Sequence, residues 1–264
     1  MVIKDKLVLV TGSTSGIGKA IAEGFLRLGA RVIIHGREQE KVRRQAERYL
    51  ALQEFIGEPI AISGDVAKPE ELELMCERIN KLGKLDILVN NVGVFKTTNF
   101  FEISDFDWDH YWNVNVMSVV RLCRHFLRGM LQHNSGKIIN ITSEAGIKPL
   151  PQMVHYSVTK TAVIGLSRAL AELTKGKKVT VNSLVIGPTW SEGVERYFNS
   201  LAEAENKDVN ELTANYFKTH EPNSLIQRFI DVLEVEQAVL FIAANDAING
   251  TALRLEGGII RSIT

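Results

Sequence analysis

Short runs of consecutive apolar residues alternate along the chain with longer stretches in which apolar positions recur at helical spacing. Leu7-Val8-Leu9-Val10 lacks polar alternation and reads as a strand buried on both faces, and residues 19–28 follow with helical period. The alternation repeats. Arg31-Val32-Ile33-Ile34 is a second strand, and 38–52 is a charged amphipathic helix whose Arg43, Arg44, Glu47 and Arg48 form a solvated face. Pro59-Ile60-Ala61-Ile62 is a third strand. Pro69 opens a helix whose first turn is acidic (Glu70, Glu71, Glu73), matching the positive end of the helix dipole. Leu85-Asp86-Ile87-Leu88-Val89 is a fourth strand. The pattern then predicts one long helix over 107–132, a strand over 137–141, a helix over 153–174 and a strand over 179–185. A polar helical stretch at 191–220, a helix at 234–244 and a strand at 252–255 complete the chain.

Apolar strands each followed by a helix mean an α/β fold: a doubly wound parallel sheet of about seven strands with helices on both faces. No internal repeat or low-complexity linker divides the chain. The expected organisation is one domain over 1–264, with a substrate lid near 190–224.

Composition narrows the function classes. The hydrophobic fraction of 45% is enough for a core and excludes disorder as the main state. Thirty-one basic residues balance thirty-one acidic ones, which argues against binding nucleic acid by charge. No apolar run reaches the roughly 18–20 residues that span a bilayer. The N-terminus, Met1-Val2-Ile3-Lys4-Asp5-Lys6, carries an acid and leads straight to a glycine motif, so it does not read as a signal peptide. Cys76 and Cys123 cannot make a disulfide framework. A cytoplasmic location is expected. None of the six histidines stands in a paired ligand motif, and no metal site is expected.

The candidate chemistry begins with Thr11-Gly12-Ser13-Thr14-Ser15-Gly16-Ile17-Gly18, between a strand and a helix. Glycines let a ligand approach the backbone, and a helix starting there aims free N–H groups and a positive dipole end at it. A dinucleotide pyrophosphate is the natural occupant, although the spacing is Gly-x-x-x-Gly-x-Gly and not Gly-x-Gly-x-x-Gly. Further on, Tyr156 and Lys160 stand at i and i+4, on one helical face. Ser143 ends the fifth strand, and in open α/β sheets the ligand crevice lies at the carboxyl ends of the strands. Ser143 and the glycine loop therefore belong to one end of the sheet, with Tyr156 on the next helix.

In this order the residues resemble the short-chain dehydrogenase/reductase family along nearly the whole chain. The matching motifs are Thr-Gly-x-x-x-Gly-Ile-Gly at 11–18, Asp65-Val66, Asn90-Asn91-Val92-Gly93, the helix residue Asn115, the strand-end residue Ser143, and Tyr-x-x-x-Lys at 156–160. The resemblance implies a Rossmann-type fold, NAD(P)-dependent interconversion of a carbonyl and a secondary alcohol, and a catalytic set of Asn115, Ser143, Tyr156 and Lys160. Tyr156 is then general acid in reduction and general base in oxidation. A free phenol titrates near 10, and an ammonium about 4 Å away at an effective dielectric of about 20 is worth roughly 4 kcal/mol, so Lys160 is expected to lower the Tyr156 pKa. Ser143 would hold the substrate oxygen. By resemblance, Lys160 also bonds the nicotinamide ribose and Asn115 orders a water joining Lys160 to solvent, while a buried amide bridging backbone is the alternative for Asn115.

The expected cofactor contacts are Gly12, Ser13, Thr14, Ser15, Gly16, Ile17 and Gly18 in the loop, then Arg37, Asp65, Val66, Asn91, Gly93, Tyr156, Lys160, Gly187 and Thr189. No acid stands at 35 or 36, and Arg37 offers a planar fork for a 2′-phosphate, so NADP(H) is favoured over NAD(H). The open alternatives are an NAD(H)-dependent secondary-alcohol dehydrogenase and a non-catalytic dinucleotide-sensing scaffold. Ile186 stands where the family has proline, which predicts a looser loop before Gly187. His155 is expected to be exposed. Ala162, Gly165 and Ala169, with the apolar tail 257–263, are the expected surfaces of a homo-oligomer, a dimer or tetramer.

Overall fold

The computed structural model describes residues 2–263, so Met1 and Thr264, the expected bounds of the domain, lie outside the described residues. The pattern of elements is β1 (Leu7–Val10), α1 (Gly16–Arg27), β2 (Arg31–Gly36), α2 (Gln39–Ala51), β3 (Glu58–Ser63), α3 (Pro69–Asn80) and β4 (Ile87–Asn90). Then come α4 (Asp105–Trp112), α5 (Ser118–Gln132), β5 (Gly136–Ser143), α6 (Val154–Glu172), β6 (Val179–Ile186) and β7 (Thr189–Trp190). The last elements are α7 (Glu192–Glu205), α8 (Val209–Thr219), β8 (Ile230–Asp231), α9 (Val232–Ala244) and β9 (Ala252–Leu255).

Seven strands form a parallel sheet in the order β3-β2-β1-β4-β5-β6-β9. The winding reverses between β1 and β4, which opens a crevice at the carboxyl ends of those strands. The strands have no polar alternation because both faces are covered. Val8 and Val10 point to α1, α2 and α9, where Ile21, Phe25, Val42, Tyr49 and Val239 pack. Leu7 and Leu9 point to α3, α5 and α6, among Met75, Ile79, Leu122, Phe126 and Val163. No helix among the described residues is long and apolar enough to cross a membrane.

Two expectations are corrected, at 107–132 and after Ile186, and the stretch 191–220 is resolved in more detail. The helix expected over 107–132 is not uniform: a π-helical turn over Asn113–Met117 separates α4 from α5. The polar stretch 191–220 is two helices, broken where Asn206 takes a left-handed φ of 50°. Their apolar sides, Phe198, Ala202 and Leu212, form a separate small cluster with Trp190, Tyr216 and Phe229. The loop after Ile186 is not loose. Ile186 is paired on both sides, to Ser143 and Leu255, and the Gly187 N–H donates to the Leu255 carbonyl at 3.0 Å.

Candidate active site

The chain leaves β1 into the glycine loop, where Gly12 and Gly16 hold φ of 67° and 54°, a region that L side chains resist. A Cβ on Gly18 would strike the Gly12 carbonyl, so only glycine lets α1 begin this close to the loop. Ser15, the residue before α1, makes no side-chain cap, which leaves the first amides of the helix directed at the crevice. These features fit a dinucleotide pyrophosphate.

Not every expected cofactor contact faces that crevice. Ser13 is buried: its N–H donates to the His35 carbonyl at 2.9 Å and its hydroxyl accepts the His35 N–H at 2.8 Å. Asn91 turns its amide to the loop, donating to the Thr11 carbonyl at 2.9 Å, and Val66 belongs to the core. The Thr189 hydroxyl donates to the Gly187 carbonyl at 2.9 Å. Thr14, Ser15, Ile17 and Asp65 are half-buried beside the loop ends, and Arg37 is exposed just beyond β2.

His35 supports this loop, a residue whose role sequence reading missed. Its Nδ1 accepts the Gly12 N–H at 3.2 Å, which requires the proton on Nε2, and Nε2 donates to the Gly64 carbonyl at 3.0 Å. Burial lowers its pKa to about 4, against the opposing effects of the Gly64 bond and the Asp65 charge.

The four expected catalytic residues converge. Ser143 ends β5. Its hydroxyl donates to the Glu144 carboxyl at 2.6 Å, accepts the Ala145 N–H at 3.2 Å, and lies close enough to the Tyr156 phenol to oppose the rise in its pKa. One turn along α6, Lys160 places Nζ 5.6 Å from the centre of the Tyr156 ring and donates to the Ile141 carbonyl at 3.1 Å. A Cβ on Gly93 would sit 3.3 Å from the Lys160 ammonium and 3.4 Å from the Asn115 Oδ1, so all three border one space.

Asn115 sits in the π turn. Its amide oxygen accepts the Val94 N–H at 2.8 Å, and its NH2 donates to the Val94 carbonyl and the Thr159 hydroxyl, each at 3.0 Å. The amide bridges backbone to the residue before Lys160.

The electrostatics differ from expectation at Tyr156. Its pKa is pushed up, not down, because burial comes first and the neighbouring Glu144 carboxylate adds to it, against the Ser143 bond. Burial also lowers Lys160 to about 8. Glu144, the second residue missed from sequence, is raised to about 7, chiefly by burial. An acid immediately after a strand-end serine was the available signal. Across from it, Glu221 and Lys148 pair at 2.7 Å, and Tyr216 of α8 faces both acids. His155 is buried, correcting the expectation of exposure. Its ring lies 3.8 Å from that of Tyr111 and 6.2 Å from that of Trp108, behind Tyr156.

The chain is similar to known proteins over nearly its whole length. The short chain dehydrogenase family model matches residues 6–201. The uncharacterized oxidoreductase YvrD of Bacillus subtilis (strain 168) is 51% identical over 263 residues, covering 99% of this chain and 98% of that protein. The 3-oxoacyl-[acyl-carrier-protein] reductase FabG of Vibrio harveyi is 30% identical over 263 residues, covering 98% of this chain and 99% of that one. A crystal structure of L-sorbose reductase from Gluconobacter frateurii, complexed with NADPH and L-sorbose, superposes with a TM-score of 0.92 at 29% identity over 100% of both chains. The chain belongs to the short-chain dehydrogenases and is an NAD(P)-dependent oxidoreductase of the CH–OH/C=O couple.

Proposed function

We propose that this protein is an NADP(H)-dependent reductase of a small ketone, with Tyr156 as proton donor. The observation that carries the reading is the convergence of Ser143, Tyr156 and Lys160 at the carboxyl ends of the strands, with the Lys160 ammonium 5.6 Å from the centre of the Tyr156 ring. When bound, the reduced nicotinamide supplies the hydride. Negative charge then grows on the carbonyl oxygen. Ser143 holds that oxygen and Tyr156 passes it a proton. A phenol kept neutral by burial suits this acid role, and Lys160 stabilises the phenolate left behind. Asn115 fixes the turn beside Lys160. In the reverse direction Tyr156 is the base.

The loop residues Gly12, Thr14, Ser15, Gly16, Ile17 and Gly18 would cradle the pyrophosphate, with Asp65 and Gly93 along the adenosine side. Gly187 and Thr189 would border the nicotinamide. Ser13, Val66 and Asn91 would act by shaping these walls. Arg37, exposed at the end of β2 with no acid at 35 or 36, supports the 2′-phosphate preference. NADPH in the L-sorbose reductase and in a polyketide ketoreductase of 26% identity supports it further. Helices α7 and α8 would cover the substrate, with Tyr216 of α8 and Glu221 just beyond it close enough to act on Glu144. Gly165 and Ala169 lie exposed on α6, with open space where a Gly165 Cβ would be, which favours close approach by a second copy.

The test is reduction of L-sorbose, ethyl acetoacetate and a 3-ketosteroid with NADPH and NADH, and oxidation of the matching alcohols. Tyr156→Phe should keep cofactor affinity and lose turnover. Tight NADPH binding with no turnover of any substrate would favour the sensing scaffold.

A further inference from the structure

Glu144 is a buried acid directly beside Ser143, and the reaction as described leaves it without a task. Building on the reductase reading above, we propose that Glu144 is a positioning residue that steers the Ser143 hydroxyl: only a protonated Glu144 lets Ser143 direct its proton to the substrate oxygen.

The reasoning is a count of protons and lone pairs. Ser143 has one hydroxyl proton and two acceptor lone pairs. The Ala145 N–H, at 3.2 Å, takes one lone pair. Glu144 Oε2 lies 2.6 Å from Oγ, so one proton must lie between them. An ionised carboxylate only accepts. It then holds the Ser143 proton, and a carbonyl oxygen arriving at Ser143 meets a lone pair. A protonated Glu144 donates to Oγ instead, fills the second lone pair and frees the hydroxyl proton for the Tyr156 side of the site, where the substrate oxygen would bind. Neither proton leaves its residue. The proton that ends on the product alcohol comes from Tyr156, and the hydride still comes from the reduced cofactor.

The surroundings place this switch in a useful range. Burial and the like charge of Glu221, beyond α8, hold the Glu144 proton, while the Ser143 bond, the residue's own backbone N–H and Lys148 oppose them, leaving the group near pH 7. Lys148 is largely engaged by Glu221 at 2.7 Å. Tyr216 of α8, and Tyr156 and Lys160 of α6, complete the ionisable groups facing Glu144. Burial lowers Lys160 to about 8, and the Glu144 charge opposes that fall.

Two measurements test the proposal. The first is infrared difference spectroscopy of the whole protein between pH 6 and pH 8, across the transition near 7. The carbonyl stretch of a protonated carboxyl should vanish on raising the pH, be absent in Glu144→Gln, and shift in frequency in Ser143→Ala. Absence of that band in the wild type, or a band indifferent to Ser143→Ala, would overturn the proposal without any assay of turnover. The second is the pH profile of kcat/KM with NADPH and L-sorbose or ethyl acetoacetate. The wild type should begin to fall near pH 7 and steepen near pH 8. Ser143→Ala, which has no hydroxyl to steer, should begin the fall of its residual activity only near 8, and Glu144→Gln, whose NH2 can donate to Ser143 at every pH, should show a single fall set by Lys160, below 8 because the Glu144 charge that raises Lys160 is gone. By pH 8 the titration of Glu144 alone should have cost the wild type about tenfold relative to its own plateau. An onset kept near 7 in Ser143→Ala, or two successive breaks kept in Glu144→Gln, refutes the steering role. A wild type that shows the carboxyl band but reduces neither probe refutes the reductase reading instead.

Discussion

Acid should destabilise this protein through His35 before it does so through most carboxylates. The imidazole is 1% exposed and locked as the Nε2–H tautomer between Gly12 and Gly64. A second ring proton would set two donors, the ring N–H and the Gly12 N–H, against each other. The folded pKa is about 4 against 6.5 for a free histidine. Between those values the unfolded chain binds the proton and the folded one does not, so stability falls as pH falls. The loss begins near 6.5, runs down to about 4 and levels off below it. From pH 7 to pH 5 the two pKa values give a loss of about 2 kcal/mol from this one residue. The assay is urea unfolding at both pH values for the wild type and His35→Gln, which has no titrating group. Because the carboxylates are common to both, the difference between the two pH responses isolates His35. The wild type should lose about 2 kcal/mol more than the variant over that interval. Parallel losses, within about 0.5 kcal/mol, would show that the ring does not stay neutral in the folded state.

Three further outcomes follow from the geometry. Arg37→Ala should weaken NADPH binding at least tenfold more than NADH binding, by nicotinamide fluorescence titration, about the worth of one charge-assisted phosphate contact; equal losses would remove Arg37 from the phosphate site. Asn115→Ala should destabilise the fold by about 3 kcal/mol, because it strands the Val94 N–H and carbonyl that the amide now satisfies, and thermal or urea unfolding would measure it. Light scattering after size exclusion should give a multiple of 29.4 kDa, and a lone species of that mass would remove the proposed contact through Gly165 and Ala169.

The sheet was legible because burial on both faces writes itself as unbroken apolar runs, and a parallel sheet needs a helix between such runs. Ser143, Tyr156 and Lys160 were legible for a related reason. A strand end and an i, i+4 pair are local facts, and sheet topology carries them to the same crevice. Non-local pairings were not legible. Ser13 reads as a loop residue open to a ligand, yet it spends its hydroxyl on His35, more than twenty residues away. His155 beside a catalytic tyrosine reads as a surface residue until α4 brings Tyr111 over it. The Tyr156 pKa went the other way because the sequence estimate counted the lysine and not the burial or Glu144. Ile186 did not loosen its loop, since the chain there is held by strands on both sides.

The π turn at 113–117 has a consequence for the length of the chain at that point. A wider turn carries one residue more than the α-helical path, and each helical residue turns the chain by about 100°. Removing one residue from the turn would restore a regular helix and leave α4 and α5 nearly in place, but a residue inside the turn would be carried about that angle around the helix, so the amide at 115 would no longer meet residue 94. Spacing, and not side-chain identity alone, is therefore what holds this stretch in phase. A one-residue deletion here should do more harm than most single replacements.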